Sequence, residues 1–263
     1  MEKIAIVTGG SSGIGRETAL ALAAHGCRVY TLSRHASELP GVRHIVCDVS
    51  DEAAFAHAVQ AAAVQEGRVD IMVNNAGYGI SGAAEFTENA EAERLLNVNL
   101  FGTVNGCKAA LPIMRGQGSG RIVNVSSFAA LAPIPFQAWY SVSKAAVSAY
   151  TAALRNETRP FGIELCAVLP GDIHTGFTAA RQKSPVGDEI YGGRISKSVA
   201  VMEHDELTGM DPAVAGRRIA AIALKKHVKP EYVLGKSYQA LSILARLLPS
   251  RLKSYIVGKL YGG

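Results

Sequence analysis

Short apolar runs alternate with segments of helical period along most of this chain. Lys3 to Val7 has charge on one side and Thr8-Gly9-Gly10 on the other and reads as a buried strand; Ala19, Leu20, Leu22 and Ala23 follow at helical spacing. Arg28 to Leu32, Arg43 to Cys47, Asp70 to Val73, Ile122 to Val125, Ile163 to Leu169 and Tyr232 to Leu234 repeat the strand pattern. Helices are expected over Asp51 to Val64, with acids in its first turn, and over Glu88 to Leu111. Two more are expected from Trp139 through Leu154 and over Asp211 to Leu224, the latter with Pro212 at its first helical position. The connection from Ser33 to Arg43 is broken by Pro40-Gly41 and too short for an ordinary crossover helix. Strands and helices taken in this order predict one α/β unit.

Several breaks after strands carry residues suited to a ligand. Gly9-Gly10-Ser11-Ser12-Gly13-Ile14-Gly15 can turn tightly, admit a phosphate to the backbone and aim a helix N-terminus at it. Between a first strand and a first helix, such a loop points to a dinucleotide. The second strand ends in Ser33-Arg34, where an acid would ordinarily bind an unphosphorylated ribose; a hydroxyl and a guanidinium would suit a 2′-phosphate, unless Arg34 is simply solvated. Asp48-Val49 stands where an adenine could be contacted. Asn74-Asn75-Ala76-Gly77 is small enough to pass close to a flat cofactor, and its amides can fasten neighbouring strand ends. Tyr78 and Ile80 are then expected to face whatever lies beyond the cofactor. Pro170-Gly171-Asp172-Ile173-His174-Thr175 occupies the carboxyl end of the sixth strand, where open α/β sheets place ligands. Thr175 can bond a cofactor amide or phosphate, whereas His174 has no visible partner and reads as a loop residue. Asn99 lies in a largely apolar helical stretch and is either a structural clamp or part of a polar relay.

One further set brings proton chemistry. Tyr140 and Lys144 lie one turn apart on a helix face, and Ser127 follows the fifth strand, from which it could return across the sheet edge. A phenol of pKa about 10 is protonated at neutral pH, so an adjacent ammonium is needed to favour its anion. The three together could hold an oxygen and exchange a proton with it; an ordinary helix pair and a capping serine are the plain alternative.

Composition narrows the classes. A chain of 263 residues, 48% hydrophobic and 19% charged, looks like a soluble globular enzyme rather than a disordered chain. The net charge of +5 is concentrated at the end: from Lys229 onward six basic residues meet one acid, Glu231, and no basic stripe elsewhere calls for nucleic acid. Cys27, Cys47, Cys107 and Cys166 have neither disulfide-scaffold density nor metal-ligand spacing and are expected as buried thiols. With no signal segment before the first strand and no spanning apolar stretch, a cytoplasmic enzyme is expected. Gln182 to Met210 is polar and irregular, so residues 176–210 read as a substrate-covering segment, with an ordinary surface excursion as the plain alternative. In 237–263, Leu241, Leu244 and Leu248 share a helical face, Pro249 interrupts, and Leu252, Tyr255, Ile256 and Leu260 continue the apolar pattern among basic residues. The preferred expectation is a helical extension that covers the pocket or packs on another subunit. Peripheral contact with an anionic membrane surface is the alternative.

With these residues assembled, the chain resembles the classical short-chain dehydrogenase/reductase family over roughly residues 3 to 235. The resemblance rests on TGGSSGIG at Thr8 to Gly15, Asp48, NNAG at Asn74 to Gly77, Asn99, Ser127, Tyr140, Lys144 and Pro170-Gly171 with Thr175. It implies a doubly wound, parallel, seven-stranded Rossmann-like sheet in a single catalytic domain, 1–236, with 237–263 as a C-terminal helical extension. It also implies a nicotinamide dinucleotide at the carboxyl edge and a homo-oligomer. Tyr140 would exchange the proton, Lys144 would lower its pKa and hold the nicotinamide ribose, Ser127 would orient the reacting oxygen, and Asn99 would join a water-mediated relay. The cofactor set it implies is Gly9, Ser11, Ser12, Gly13, Ile14, Gly15, Ser33, Arg34, Asp48, Val49, Asn75, Ala76, Gly77, Tyr140, Lys144, Pro170, Gly171, Ile173 and Thr175, with no metal. Ser33-Arg34 resembles the NADP-preferring branch, although Ser12 stands where many NADP-selective members have a second basic residue. The expectation is therefore an NADP(H)-dependent oxidoreductase for a medium or large apolar ketone, aldehyde or alcohol. Its pocket would draw on Tyr78, Ile80, Phe128, Ile134, Phe136, Tyr191 and Met202. NAD(H)-dependent alcohol oxidation and a non-catalytic dinucleotide sensor or scaffold are the alternatives.

Overall fold

A strand that is apolar along its whole length must be covered on both faces, and all five residues of β1 (Ile4–Thr8) are buried. In the computed structural model, which describes residues 2–262, α1 (Gly13–Ala24) follows, then β2 (Arg28–Ser33) and β3 (Val42–Val46), joined without a helix. Next come α2 (Glu52–Glu66), β4 (Ile71–Asn74), β5 (Ile80–Ser81), α3 (Asn89–Leu96) and α4 (Gly102–Gln117). The chain continues through β6 (Gly120–Val125), α5 (Ala138–Thr158), β7 (Ile163–Pro170), α6 (Phe177–Ala180), β8 (Gln182–Lys183) and α7 (Arg194–Leu207). It ends with α8 (Pro212–Ala223), β9 (Glu231–Leu234), α9 (Lys236–Leu247) and α10 (Ser250–Tyr261).

Seven strands form one parallel sheet in the order β3-β2-β1-β4-β6-β7-β9. Strand order reverses beside β1, so the carboxyl ends of β1 and β4 flank the crevice in which such sheets bind ligands. One face of the sheet is covered by α1 and α8, with Leu22 and Ile219 fully buried, and the other by α2, α4 and α5, with Phe55 and Met114 fully buried. Local chemistry starts the helices where the acids lie. Asp51 accepts the Ala54 N–H at 2.9 Å to cap α2, and Asp211 accepts the Ala213 N–H at 2.6 Å to cap α8. Each such cap is worth about 1 kcal/mol.

Three features differ from the pattern expected. The helix expected to end at Leu111 runs past Pro112 to Gln117. Pro112 is exposed, so the carbonyl it leaves unpaired within the helix can face water, while Ala110 and Met114 bury the other side. Between α3 and α4 the helix widens into a π turn over Asn97–Phe101, which carries the fully buried Asn99. Finally, β5 and β8 pair as a separate small sheet that ties the 176–210 segment to the loop after β4.

At the C-terminal end α9 packs against β9 and α10 against α7, with Pro249 between them as expected. The inward residues of α9 are Tyr238, Ser242 and Ala245. Leu241 and Leu244, expected on a packing face, are exposed instead. No described helix is long and apolar enough to cross a membrane.

Candidate active site

The strand ends surround a cleft of about 420 Å³ that runs from Ser33, Arg34 and His35 at one end to Tyr140, Phe177 and Tyr238 at the other. Its floor is held by strand-end hydrogen bonds. Thr8 Oγ1 accepts the N–H groups of Asn75 at 2.9 Å and Ala76 at 3.0 Å, and Asn75 Nδ2 donates to the Thr8 carbonyl at 3.1 Å. Asn74 Nδ2 donates to Asn124 Oδ1 at 2.8 Å, and Asn124 Nδ2 donates to Thr151 Oγ1 at 2.9 Å, which joins β4, β6 and α5. The asparagines thus fasten neighbouring strands.

The groove fits a dinucleotide on its own geometry. Gly9 takes φ of 66°, a left-handed value, and lets the chain turn beside Ala76 where a side chain would crowd both. Ser11, Ser12, Gly13 and Ile14 line the same wall, with Asn75, Ala76 and Gly77 across from it. Gly15, expected among the cofactor contacts, instead sits behind the wall, where a Cβ would strike the Gly9 carbonyl and the Asn75 amide. Arg34 is exposed at the far end. Asp48 and Val49 line the groove there. Burial pushes the Asp48 carboxyl up, but hydrogen bonds from Ser50 and the Arg34 charge outweigh it and hold the group below its ordinary range. Ser33 Oγ donates to the His35 carbonyl at 2.9 Å. Pro170, Gly171, Ile173 and Thr175 close the opposite side.

Ser127, Tyr140 and Lys144 all line the cleft. Ser127 ends the β6 crossing and accepts the Ala129 N–H at 3.2 Å, which sets its backbone turn. Lys144 is buried, donates from Nζ to the Val125 carbonyl at 3.1 Å, and lies 5.8 Å from the centre of the Tyr140 ring. Burial pulls its ammonium down to about 8. The Tyr140 phenol is pushed up to about 12, first by burial, with the charges of Glu206 and Asp172 adding to it; the Ser127 hydrogen bond and Arg181 act the other way. Lys144 is not among the groups that lower this phenol, so the depression expected of it is not seen. Burial disfavours the charged form of both groups.

Asn99 does not line the cleft. Its Oδ1 accepts the Tyr78 N–H at 3.0 Å, and its Nδ2 donates to the Tyr78 carbonyl at 2.9 Å and to Ser143 Oγ at 3.2 Å. These are the bonds of a clamp. A Cβ on Gly77 would nevertheless stand 3.0 Å from Asn99 Oδ1 and 3.5 Å from Lys144 Nζ, so the clamp lies directly beside the buried amine.

Beyond Tyr140 the wall becomes mostly apolar and aromatic. Phe128, Ile134 and Met202 line it as expected, and Tyr78 also lines the cleft. Ile80 is buried away from the cleft, and Phe136 stacks on Tyr191 outside it with centroids 5.4 Å apart, so these three are corrected to packing residues. In their place stand Gln137, Phe177, Glu206, Tyr238 and Tyr261, none of which had been singled out. Tyr238 packs on Phe128 with centroids 4.9 Å apart, and Phe177 on Tyr140 at 5.6 Å. Tyr238 donates its hydroxyl hydrogen bond to Asp172, and Tyr261 donates to Asp205 at 3.3 Å. Glu206 pairs with the buried Arg181 and accepts from Thr178 at 2.7 Å. Burial, helped by Asp205 and Glu206, pushes Asp172 up to about 6 despite the Tyr238 hydrogen bond and the Arg181 charge. The tyrosines carry no periodic signature beyond their own helices; only their return to the cleft in three dimensions marks them.

Comparison with known proteins agrees with this geometry. The family model described as short chain dehydrogenase matches residues 3–185. A 3-ketodihydrosphingosine reductase of Bacteroides thetaiotaomicron is 38% identical over 263 residues, covering 98% of each chain. A short-chain dehydrogenase from Streptomyces avermitilis superposes with a TM-score of 0.82 at 29% identity, over 99% of this chain and 97% of that one. The structure of ElxO with NADP bound has a TM-score of 0.76 at 26% identity, over 91% and 100% of the two chains.

Proposed function

The chain belongs to the short-chain dehydrogenase family and is an oxidoreductase that interconverts carbonyl compounds and alcohols with a nicotinamide dinucleotide; from that premise we propose that it prefers NADP(H) and acts on a long, apolar, lipid-like ketone. The observation that carries the substrate half is the wall beyond Tyr140, where Phe128, Ile134, Phe177, Met202 and Tyr238 meet. Such a surface gains roughly 25 cal/mol for each Å² of apolar ligand it removes from water, which favours a chain over a sugar. The similarity to a protein named as a 3-ketodihydrosphingosine reductase, over nearly all of both chains, supports the same class. Arg34, exposed at the groove end where an acid would otherwise meet the ribose, supports NADP(H).

In this reading Gly9, Ser11, Ser12, Gly13 and Ile14 hold the dinucleotide phosphates, Arg34 the 2′-phosphate, Asp48 and Val49 the adenine, and Thr175 the nicotinamide end. The bound cofactor supplies or takes up the hydride. Ser127 holds the reacting oxygen against Tyr140, whose phenol gives up its proton as charge develops there. Lys144 holds the nicotinamide ribose and sets its ammonium beside Tyr140, while Asn99 joins a water-mediated proton relay. Assembly as a homo-oligomer belongs to the same proposal and is tested by mass in solution.

The decisive experiment offers NADPH with a long-chain 3-ketone, a short ketone and an aldose to the intact protein and to Tyr140→Phe. The long-chain ketone is expected to consume NADPH fastest, and the variant is expected to lose at least about a hundredfold in turnover while still binding the cofactor. Efficient turnover of the aldose with none of the long-chain ketone would reject the substrate class, and near-native turnover by folded Tyr140→Phe would reject the proton donor.

A further inference from the structure

The two C-terminal helices face outward in an unusual way. On a surface helix the apolar stripe ordinarily packs and the polar side meets water. In α9 the buried residue is Ser242, while Leu241, Ile243, Leu244 and Leu247 are exposed, Leu247 at 77%. Positions 240, 243, 244 and 247 follow helical spacing, so Ala240, Ile243, Leu244 and Leu247 form one continuous outward face. On α10 the outward residues include Leu252, Tyr255, Ile256 and Leu260, interleaved with Arg251 and Lys259. Its inward side carries Val257, Tyr261 and Lys253, whose Nζ donates to the Leu131 carbonyl at 3.2 Å.

Charge chooses among the surfaces that could cover these faces. Residues 236–263 hold five basic side chains and no acid. Among the described residues only Arg246 of these makes an ion pair, with Glu231, which leaves Lys236, Arg251 and Lys259 unneutralised. A second copy docking face to face would set this positive charge against itself, since a two-fold contact places the same patch on both sides. A surface that is apolar below and anionic above satisfies both the leucines and the cations. We propose that the outward faces of α9 and α10 dock the protein on an anionic phospholipid membrane surface. Their inward faces bring Tyr238 and Tyr261 to the cleft, so the docked helices also form part of its wall.

Vesicle binding is read without turnover and is therefore independent of which carbonyl the enzyme takes. The intact protein is sedimented with vesicles of phosphatidylcholine alone and of equal parts phosphatidylcholine and phosphatidylglycerol, at about 0.1 M salt, where the Debye length is about 10 Å. Binding to the anionic vesicles is expected to exceed that to the neutral ones by about tenfold or more. Arg251→Gln with Lys259→Gln should weaken it by about fivefold per charge removed. Leu244→Asp with Leu247→Asp, both outside the cleft, should abolish it while the thermal midpoint and the mass in solution stay unchanged. Intact protein left in the supernatant with anionic vesicles would overturn the proposal, as would undiminished binding by the folded leucine variant. A mass in solution that falls on the leucine substitutions would overturn it as well, by assigning the face to a second copy.

Discussion

Replacing Asp172 by Asn should make the protein more stable at pH 8 and leave it unchanged near pH 4. Asp172 is pushed from 3.8 to about 6, burial being the largest cause. For an acid whose folded pKa is raised, stability is fully present below the unfolded value and is lost as pH rises through the folded one. The interval from 3.8 to about 6 corresponds to roughly 3 kcal/mol. The part of the side chain still open to the cleft brings the usable figure to about 2 kcal/mol, because water screens the charge. Asn keeps an acceptor for the Tyr238 hydroxyl and removes the charge that Glu206 and Asp205 oppose. Thermal unfolding followed by circular dichroism at pH 4, 6 and 8 measures the effect. A gain of about 2 kcal/mol raises the midpoint by roughly 4–8 °C for a chain of this size, and the gain should shrink to nothing as the pH falls through 6 toward 4. A variant that is less stable than the parent at pH 8 would refute the reasoning, because it would mean that the ionised carboxylate stabilises the fold.

Arg34→Ala should weaken NADPH about tenfold, roughly 1.4 kcal/mol, and leave NADH within twofold or so, read by fluorescence titration of both cofactors. Because burial pulls Lys144 down to about 8, NADPH binding should weaken between pH 7 and 9, by up to about tenfold if only the ammonium form binds, and Lys144→Met should show a flatter profile. Asn124→Ala removes partners of buried Asn74 and Thr151 and should cost about 1–3 kcal/mol, seen as a lower urea midpoint with unchanged slope.

Much of the sheet was legible because its strands are largely apolar and are followed by glycine-rich or polar breaks, a pattern that β1 and β4 show most plainly. The glycine-rich loop, Asp48, the Asn74 to Gly77 stretch and the Ser127, Tyr140, Lys144 set were legible because each lies at the end of a strand or one helical turn from its partner. These residues therefore line one cleft, with Gly15 behind its wall. The substrate half did not follow. Ile80, Phe136 and Tyr191 have the composition of pocket residues, yet packing against the 176–210 segment takes them elsewhere. Tyr238 and Tyr261 lie far beyond Ser127, Tyr140 and Lys144 in sequence; the packing of α9 on β9 brings the first back to the cavity, and the turn at Pro249 with the packing of α10 on α7 brings the second. The leucines of α9 misled for a related reason: periodicity identifies a helix face but does not say whether protein covers it.

The π turn at Asn97–Phe101 has a consequence for how this site could be edited. A π turn accommodates one residue more than the α-helix around it requires, so its register is a matter of length rather than of any single side chain. Deleting one residue there would allow ordinary α-helical bonding through the join and keep α3 and α4 in phase, but the widened turn that carries Asn99 would close. Asn99 would swing away from Tyr78 while Ser127, Tyr140 and Lys144 kept their identities. The loss would look chemical in an assay although nothing chemical had been removed, and reinsertion of any helix-forming residue, rather than restoration of a particular functional group, would be the repair.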